Sequence, residues 1–193
     1  MSDLITHELK VAFFGHHGLE LEKALGLVSS ELEEADVAVF LVSAKDGIVR
    51  ADSDTWLFAR ELYIPSIVVI TDLSKNNETD FEDMTLIAGK ILDPVVTPYL
   101  VLHADDGSPI ALIDLQNQRI SDYSSGEMRE RESDPELQEL IRDFRSEYIE
   151  SVTDVGEGAF ENGLLFPAIP WIQENSLGIC EIARYLKSVP RFR

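Results

Sequence analysis

Histidine and aspartate side chains that follow apolar runs are the residues of this sequence best suited to chemistry. His16 and His17 follow the first run, Asp46 and Asp72 follow two later ones, and Asp52 lies shortly after Asp46. Carboxylates bind hard cations, and histidine serves as a general base or metal ligand. The three aspartates could converge on a cation, but turns and helix caps account for each one singly. We therefore predict no metal site.

The remaining candidates have simpler structural interpretations. His16 and His17 have no carboxylate or cysteine nearby at the spacing of metal ligands. Asp105 and Asp106 precede a Gly-Ser pair and are typical of a hairpin turn. Cys180, the only cysteine, lies on the apolar stripe of a predicted helix and is expected to be a small buried hydrophobe. With no Ser/His/Asp grouping evident, we predict no catalytic residue.

The elements that position these residues centre on a strand–helix–strand unit. Val37–Val42 and Ile67–Ile70 are short apolar runs typical of parallel strands that are covered on both faces. Between them, Asp52 or Ser53 could cap a helix that ends before Pro65. The predicted inner face of that helix carries Trp56, Leu57, Ala59 and Leu62. Ligands of such sheets lie beyond the carboxyl ends of the strands.

Further elements are predicted on both sides of this unit. Upstream we predict a strand over Glu8–Phe14 and a helix over Leu19–Leu32. Downstream, Thr79 or Asp80 could cap a helix with Phe81, Met84, Ile87, Ala88, Ile91 and Leu92 on one face. A hairpin (Tyr99–His103, Ile110–Leu115), a short strand (Ile120–Tyr123) and a flexible segment (124–133) are predicted to follow. The last predictions are a helix from Ser133 onwards with Leu137, Leu140, Ile141, Phe144, Tyr148 and Val152, an edge strand over Leu164–Ile169, and a helix from Asn175 or Ser176.

Charge and composition limit the classes of function. The chain has 193 residues, with 36 acidic and 16 basic side chains and a net charge of −20. Such a charge argues against direct binding of nucleic acid through phosphate contacts, and it favours either solubility alone or a basic partner. No apolar run approaches the ~20 residues of a membrane span, and the first residues lack a basic region typical of a signal peptide. We therefore predict a cytoplasmic protein with no membrane contact.

The order of these elements resembles the GTPase domain of elongation factor G, from its switch II strand to its end. Gly15-His16 matches the end of a DTPGH-type segment, and Glu22–Leu25 (EKAL) matches the helix that follows it. Ala35–Gly47 and Asp52–Trp56 resemble the next strand and helix start. Tyr99–Tyr123 resembles the β-rich insertion peculiar to elongation factor G. The resemblance implies a three-layer, P-loop-GTPase-like α/β fold with a mostly parallel sheet that lacks the first strands. It further implies one degenerate domain over 1–193, with the insertion at 97–133.

The sequence departs from that family where nucleotide chemistry is expected. No G-x-x-x-x-G-K-[ST] loop is present, so the domain is predicted to be truncated before the phosphate site. Ala12 falls on the aspartate that supports magnesium, and a methyl group cannot hold a hydrated cation. The resemblance aligns the guanine-reading NKxD segment with Thr71, Asp72, Leu73 and Ser74, and aligns the closing Ser-Ala segment with Ile172 and Gln173. His16 matches the residue that orients the attacking water, but there is no phosphate cradle beside it. We expect no nucleotide, cofactor or catalysis.

The resemblance raises a question about the sheet. In the family the phosphate-loop strand lies between the switch II strand and the strand matched by Val37–Val42. Either Leu9–Phe14 pairs directly with Val37–Val42, or another chain supplies the missing strand. We favour direct pairing, because Phe13 and Phe14 can fill the space that a nucleotide requires.

The predicted function is a non-catalytic, elongation-factor-G-like pseudo-GTPase domain that acts as a protein-interaction or regulatory module. The expected partner is a protein, basic or translation-related. Three alternatives remain open from sequence. The chain could bind GTP with a phosphate loop from a partner chain, it could mimic elongation factor G as a decoy or immunity protein, or it could carry new enzymatic chemistry in the old pocket.

Overall fold

A parallel sheet of four strands forms the centre of the molecule. The computed structural model describes residues 9–73 and 80–190. The strands are β1 (Val11–Gly15), β2 (Val37–Ser43), β3 (Ser66–Thr71) and β8 (Ala168–Pro170), in the spatial order β1-β2-β3-β8. Every residue of β2 and β3 is buried, which is why these strands have unbroken apolar sequences instead of alternating ones.

Helices cover both faces of this sheet. Helices α1 (Gly18–Leu25) and α6 (Ile179–Ser188) pack on the face that carries Val37 and Val39. Helices α2 (Arg50–Glu61) and α3 (Phe81–Ile91) pack on the opposite face, where Trp56 contacts Phe40 edge-on. The predicted α/β class with a three-layer arrangement is therefore confirmed.

The first two strands pair directly with each other. β1 and β2 are parallel, with Val11 opposite Val37 and Gly15 opposite Leu41. β3 occupies the other edge of β2, with Val39 opposite Ile67. Both edges of β2 are therefore used within this chain.

A second, antiparallel sheet follows α3. It contains β4 (Tyr99–His103), β5 (Pro109–Asp114), β6 (Arg119–Asp122) and β7 (Arg129–Glu132), paired in sequence order. The predicted hairpin and third strand are present. β7 was not predicted, because all four of its residues are charged and exposed and so give no apolar pattern. It lies inside the segment predicted as flexible.

Helix ends differ from the predictions where local backbone geometry intervenes. α1 ends at Leu25, well before the predicted end at Leu32, because Gly26 adopts φ 71° and its N–H bonds back to the helix. α2 begins at Arg50 rather than at Asp52 or Ser53, and Val49 precedes it without a side-chain cap. α6 begins after Gly178, which has φ 90°, and not at Asn175 or Ser176.

For the helices that start near Asp80 and Ser133, one predicted cap is confirmed, one cap is corrected, and one predicted helix is divided in two. Asp80 caps α3 by accepting a hydrogen bond from Asp83 N, as predicted, whereas the alternative cap Thr79 lies outside the described residues. Asp134, not Ser133, caps the later helix, through Leu137 N. That helix is also divided at Ile141 into α4 (Pro135–Leu140) and α5 (Arg142–Val155).

Several apolar side chains that were predicted to be buried face solvent instead. The exposed residues are Leu57 and Leu62 of the α2 region, Ile87 and Ile91 of α3, Leu140 of α4 and Phe144 of α5. On each helix the stripe of buried side chains is narrower than the distribution of its apolar residues indicates. The predicted edge strand does lie at the sheet edge, but it spans Ala168–Pro170 and not Leu164–Ile169.

Within the described ranges, no helix is long and apolar enough to cross a lipid bilayer.

Candidate functional site

A cleft of about 230 Å³ opens at the carboxyl ends of the parallel strands. It is lined by Thr71 and Asp72 at the end of β3 and by Ile172 and Gln173, which follow β8. These two pairs of residues lie far apart in sequence, and the β3–β8 pairing brings them together. His17, Lys45, Leu73, Trp171 and Glu174 complete the lining.

Asp72 is hydrogen-bonded to the side chains of Ser43 and His17. One carboxylate oxygen accepts a 2.6 Å hydrogen bond from Ser43 Oγ at the end of β2. His17 Nε2 lies 3.1 Å from Oδ1 and 3.2 Å from Oδ2. Burial raises the pKa of Asp72, but the Ser43 hydrogen bond and the nearby His17 outweigh burial and leave the pKa below its ordinary value.

Both partners of the His17–Asp72 pair have a left-handed backbone, which is uncommon for residues other than glycine. His17 has φ 66° and Asp72 has φ 57°. The pair ties the loop after β1 to the end of β3 across the mouth of the cleft. Since such strained residues persist only where surrounding contacts hold them, the pair stabilises one conformation of this loop.

The geometry around Ser43 does not form a nucleophilic site. Ser43 Oγ donates to Asp72, and it accepts hydrogen bonds from Lys45 N at 3.2 Å and Asp46 N at 3.0 Å. A serine nucleophile requires a base that takes its proton, commonly histidine, and here the carboxylate stands between Ser43 and His17. The hydroxyl is therefore a turn-forming group.

Three other described positions that the sequence singled out, Ala12, His16 and Asp52, do not line the cleft. Ala12, which the resemblance to elongation factor G aligns with an aspartate, is completely buried inside β1. His16 is exposed in the loop after β1. Burial raises the pKa of Asp52, and His16 opposes that shift, which places these two residues near each other. Ser74 lies outside the described residues.

The candidate metal clusters do not assemble among the residues that the structure describes. Those residues contain no group of three His, Cys, Asp or Glu side chains arranged to hold an ion. Asp106 lies in the predicted hairpin turn, where its Oδ1 accepts a hydrogen bond from Ser108 N at 3.0 Å. Cys180 is half-buried against the core, and burial raises the pKa of its thiol.

Acid titration should expose the contribution of Asp72 to stability. Because its folded-state pKa lies below the ordinary value of 3.8, the carboxylate stabilises the fold above that pH. The contribution is lost as pH falls through the lowered pKa. We expect the acid-induced loss of stability to be smaller in Asp72→Asn than in the wild type. The difference should be less than about 1 kcal/mol, since the carboxylate is partly solvated. Denaturant titrations from pH 6 to about pH 2 measure the effect.

Asp46→Asn is the matched control for this prediction, because Asp46 lies in the adjacent turn and is exposed. Its acid profile should follow the wild-type profile. An identical pH dependence for wild type and Asp72→Asn contradicts the prediction.

The sequence did not lead us to predict that Trp171 lines the cleft or that Asp72 contacts His17 and Ser43. Trp171 is almost completely buried beside the cleft, directly after β8. Its position following Pro170 in an apolar segment was the available signal. The His17–Asp72 contact spans 55 residues, and it follows only from the register of the sheet.

Comparison with known proteins gives distant similarities. No protein-family model matches the chain. It is 24% identical over 182 residues to an elongation factor G-like protein of Mycobacterium tuberculosis strain CDC 1551 / Oshkosh, and equally to the protein of that name from strain H37Rv. These alignments cover 82% of this chain but 25% of each relative.

A crystal structure of a Thermus thermophilus protein superposes with a TM-score of 0.70 and 28% sequence identity. The match covers 82% of this chain and 27% of that protein. The chain thus spans about a quarter of the length of the proteins it matches. It shares the fold of the matched region of the Thermus protein and has a distant sequence similarity to the elongation factor G-like proteins.

Proposed function

We propose that this chain is an elongation-factor-G-like domain that does not bind guanine nucleotide and acts by binding other proteins. The direct pairing of β1 with β2 is the observation that carries the proposal. In the family that the sequence resembles, the strand leading into the phosphate loop lies between the two corresponding strands. Here they are hydrogen-bonded neighbours from Val11 to Gly15.

Close packing at the end of β1 supports the same conclusion. A side-chain carbon added at Gly15, which has φ 91°, would lie 2.1 Å from the carbonyl oxygen of Leu41 in β2. Phe14 stacks on Phe40 with ring centroids 5.1 Å apart. The backbones of the two strands thus approach closely, and the two aromatic rings pack together on one face of the sheet.

The pairing also supports a self-contained module over a GTPase completed by a partner chain. β2 already has β1 on one edge and β3 on the other. A strand from another chain could enter between β1 and β2 only by breaking their buried hydrogen bonds, each costing about 1–3 kcal/mol if left unpaired. The net charge of −20 favours a basic protein surface as the partner.

Nucleotide titration tests the proposal. We expect neither GTP nor GDP to bind with a dissociation constant below ~1 mM, a loss of more than ~8 kcal/mol relative to a nanomolar site. The physical reason is the closed strand pair together with Ala12 in place of a carboxylate. Isothermal titration calorimetry with Mg²⁺ present makes the measurement, with a complete elongation factor G as the positive control.

Micromolar binding that disappears when EDTA removes Mg²⁺ contradicts the proposal. Binding that arises only after addition of a second protein fraction instead favours the partner-completed GTPase. A fluorescent GTP analogue, titrated alone and in cell lysate, separates these two outcomes.

A further inference from the structure

The outer edge of β7 is a strand edge with a regular charge pattern. β7 is the last strand of the antiparallel sheet, and its residues Arg129, Glu130, Arg131 and Glu132 are all exposed. Successive side chains of a strand point to opposite faces. One face of β7 is therefore basic and the other acidic.

The neighbouring strand shows which charges fit this pattern. β6 places Asp122 opposite Arg129 and Arg119 opposite Glu132. Ion pairs follow on each face, between Arg131 and Asp122 at 3.5 Å and between Arg119 and Glu130 at 3.3 Å. Each face of the β6–β7 pair thus combines opposite charges, the arrangement that stabilises cross-strand neighbours.

Two of the charges of β7 remain available for a strand on its outer side. Within the part of the chain that the structure describes, the ion pairs of β7 involve Glu130 and Arg131, and Arg129 and Glu132 take part in none of them. The two ends of β7 therefore present a cation and an anion, on opposite faces of the sheet, that a neighbouring strand can pair.

A second copy of this chain does not fit this edge. Two-fold symmetric antiparallel pairing of identical strands keeps each residue on its own face, so odd-numbered residues meet odd-numbered ones. Arg129 would then lie opposite Arg131 of the second copy, and Glu130 opposite Glu130 or Glu132 of that copy. Like charges directly opposite each other destabilise a strand pair. The alternation thus disfavours two-fold self-association through this edge.

We infer that the β7 edge binds an extended segment of a different protein whose charges alternate in the complementary order. That segment adds antiparallel to β7, with acidic side chains opposite Arg129 and Arg131 and basic ones opposite Glu130 and Glu132. Main-chain hydrogen bonds supply affinity, and the charge order supplies specificity. The inference rests on the proposed function only in that the domain acts by binding proteins.

Two peptides of equal composition test the charge order. The alternating peptide is acetyl-Thr-Lys-Glu-Lys-Glu-Thr-amide, and the blocked peptide is acetyl-Thr-Lys-Lys-Glu-Glu-Thr-amide. Titration is followed by the backbone amide NMR shifts of residues 129–132 of the full chain. We expect millimolar binding and a preference of about fivefold or more for the alternating peptide, and about 0.5 M salt should remove that preference.

A charge-exchanged protein provides the matched variant. Arg129→Glu combined with Glu132→Arg keeps the net charge and replaces neither Glu130 nor Arg131, although it puts like charges opposite Asp122 and Arg119 of β6. Its edge reads Glu-Glu-Arg-Arg, so it should prefer a third peptide, acetyl-Thr-Glu-Glu-Lys-Lys-Thr-amide, over the alternating one. Retained β6–β7 amide contacts in the variant's spectrum show that the strand is still formed.

The inference is overturned if neither of the first two peptides shifts the β7 amides at about 10 mM, if both do so equally, or if the exchanged variant keeps the wild-type preference. Association of the wild-type chain through β7 also overturns it. Nucleotide titration has a separate readout, so failure of the peptide test and failure of the non-nucleotide proposal are distinguishable.

Discussion

Val39→Asp should abolish folding of the domain. Val39 lies at the middle of β2, is fully buried, and stands between Phe13 of β1 and Ile67 of β3. An unpaired carboxylate at this position costs several kcal/mol, comparable with the ~5–15 kcal/mol that stabilises a typical domain. Circular dichroism and thermal melting measure the result, which should be loss of the cooperative transition.

Val28→Asp is the control for this substitution, since it makes the same chemical change at a side chain that is 86% exposed. It should melt close to the wild type. A cooperative transition for Val39→Asp within a few degrees of the wild-type midpoint contradicts the placement of β2 at the centre of the sheet.

The strands of the parallel sheet were predictable because a strand that is buried on both faces has an unbroken run of apolar residues. A parallel strand such as β2 needs apolar side chains at every position, so Val37–Val42 can be recognised without tertiary information. Helix ends were less predictable. The end of α1 depends on the left-handed conformation of Gly26. The break between α4 and α5 occurs at Ile141, where no glycine or proline indicates it in the sequence.

The inner faces of the helices were only partly predictable, because apolar residues also occupy their outer faces. On α2, Trp56 and Ala59 are buried whereas Leu57 is 56% exposed. A short helix with apolar residues on two adjacent stripes can be rotated about its axis so that either stripe faces the sheet. The choice between them depends on packing against the sheet and not on periodicity.

Part of the candidate site followed from strand ends alone. Thr71 and Asp72 end a predicted strand, and ligands of parallel sheets lie beyond such ends; the structure has a cleft there, which Ile172 and Gln173 also line. The interactions of Asp72 could not be predicted. Its bond to Ser43 spans 29 residues and depends on the exact β2–β3 register.

Tyr123→Phe should cause the second large loss of stability. Tyr123 follows β6, and its hydroxyl donates a 2.5 Å hydrogen bond to Glu181 Oε2 on α6. Glu181 is completely buried, and its other oxygen, Oε1, has no hydrogen-bond partner among the described residues. Burial raises the pKa of Tyr123, and Glu181 raises it further, so the hydroxyl keeps its proton and remains a donor.

Removing that hydroxyl leaves a buried carboxyl group with neither oxygen paired. Leaving a buried hydrogen-bonding group without its partner costs about 1–3 kcal/mol. We therefore expect Tyr123→Phe to lower the free energy of unfolding by about 3 kcal/mol, measured by denaturant titration. The same bond joins the antiparallel sheet to α6, so the amides of β6 should exchange faster with solvent in this variant.

A double-mutant cycle identifies the buried carboxyl group as the cause. Glu181→Leu replaces that group with an apolar side chain of similar size, so adding it to Tyr123→Phe should recover most of the lost stability. If the loss arose only from packing around the ring, the two substitutions would instead be additive. Equal stability of wild type and Tyr123→Phe would show that the Glu181 carboxyl group does not depend on this bond.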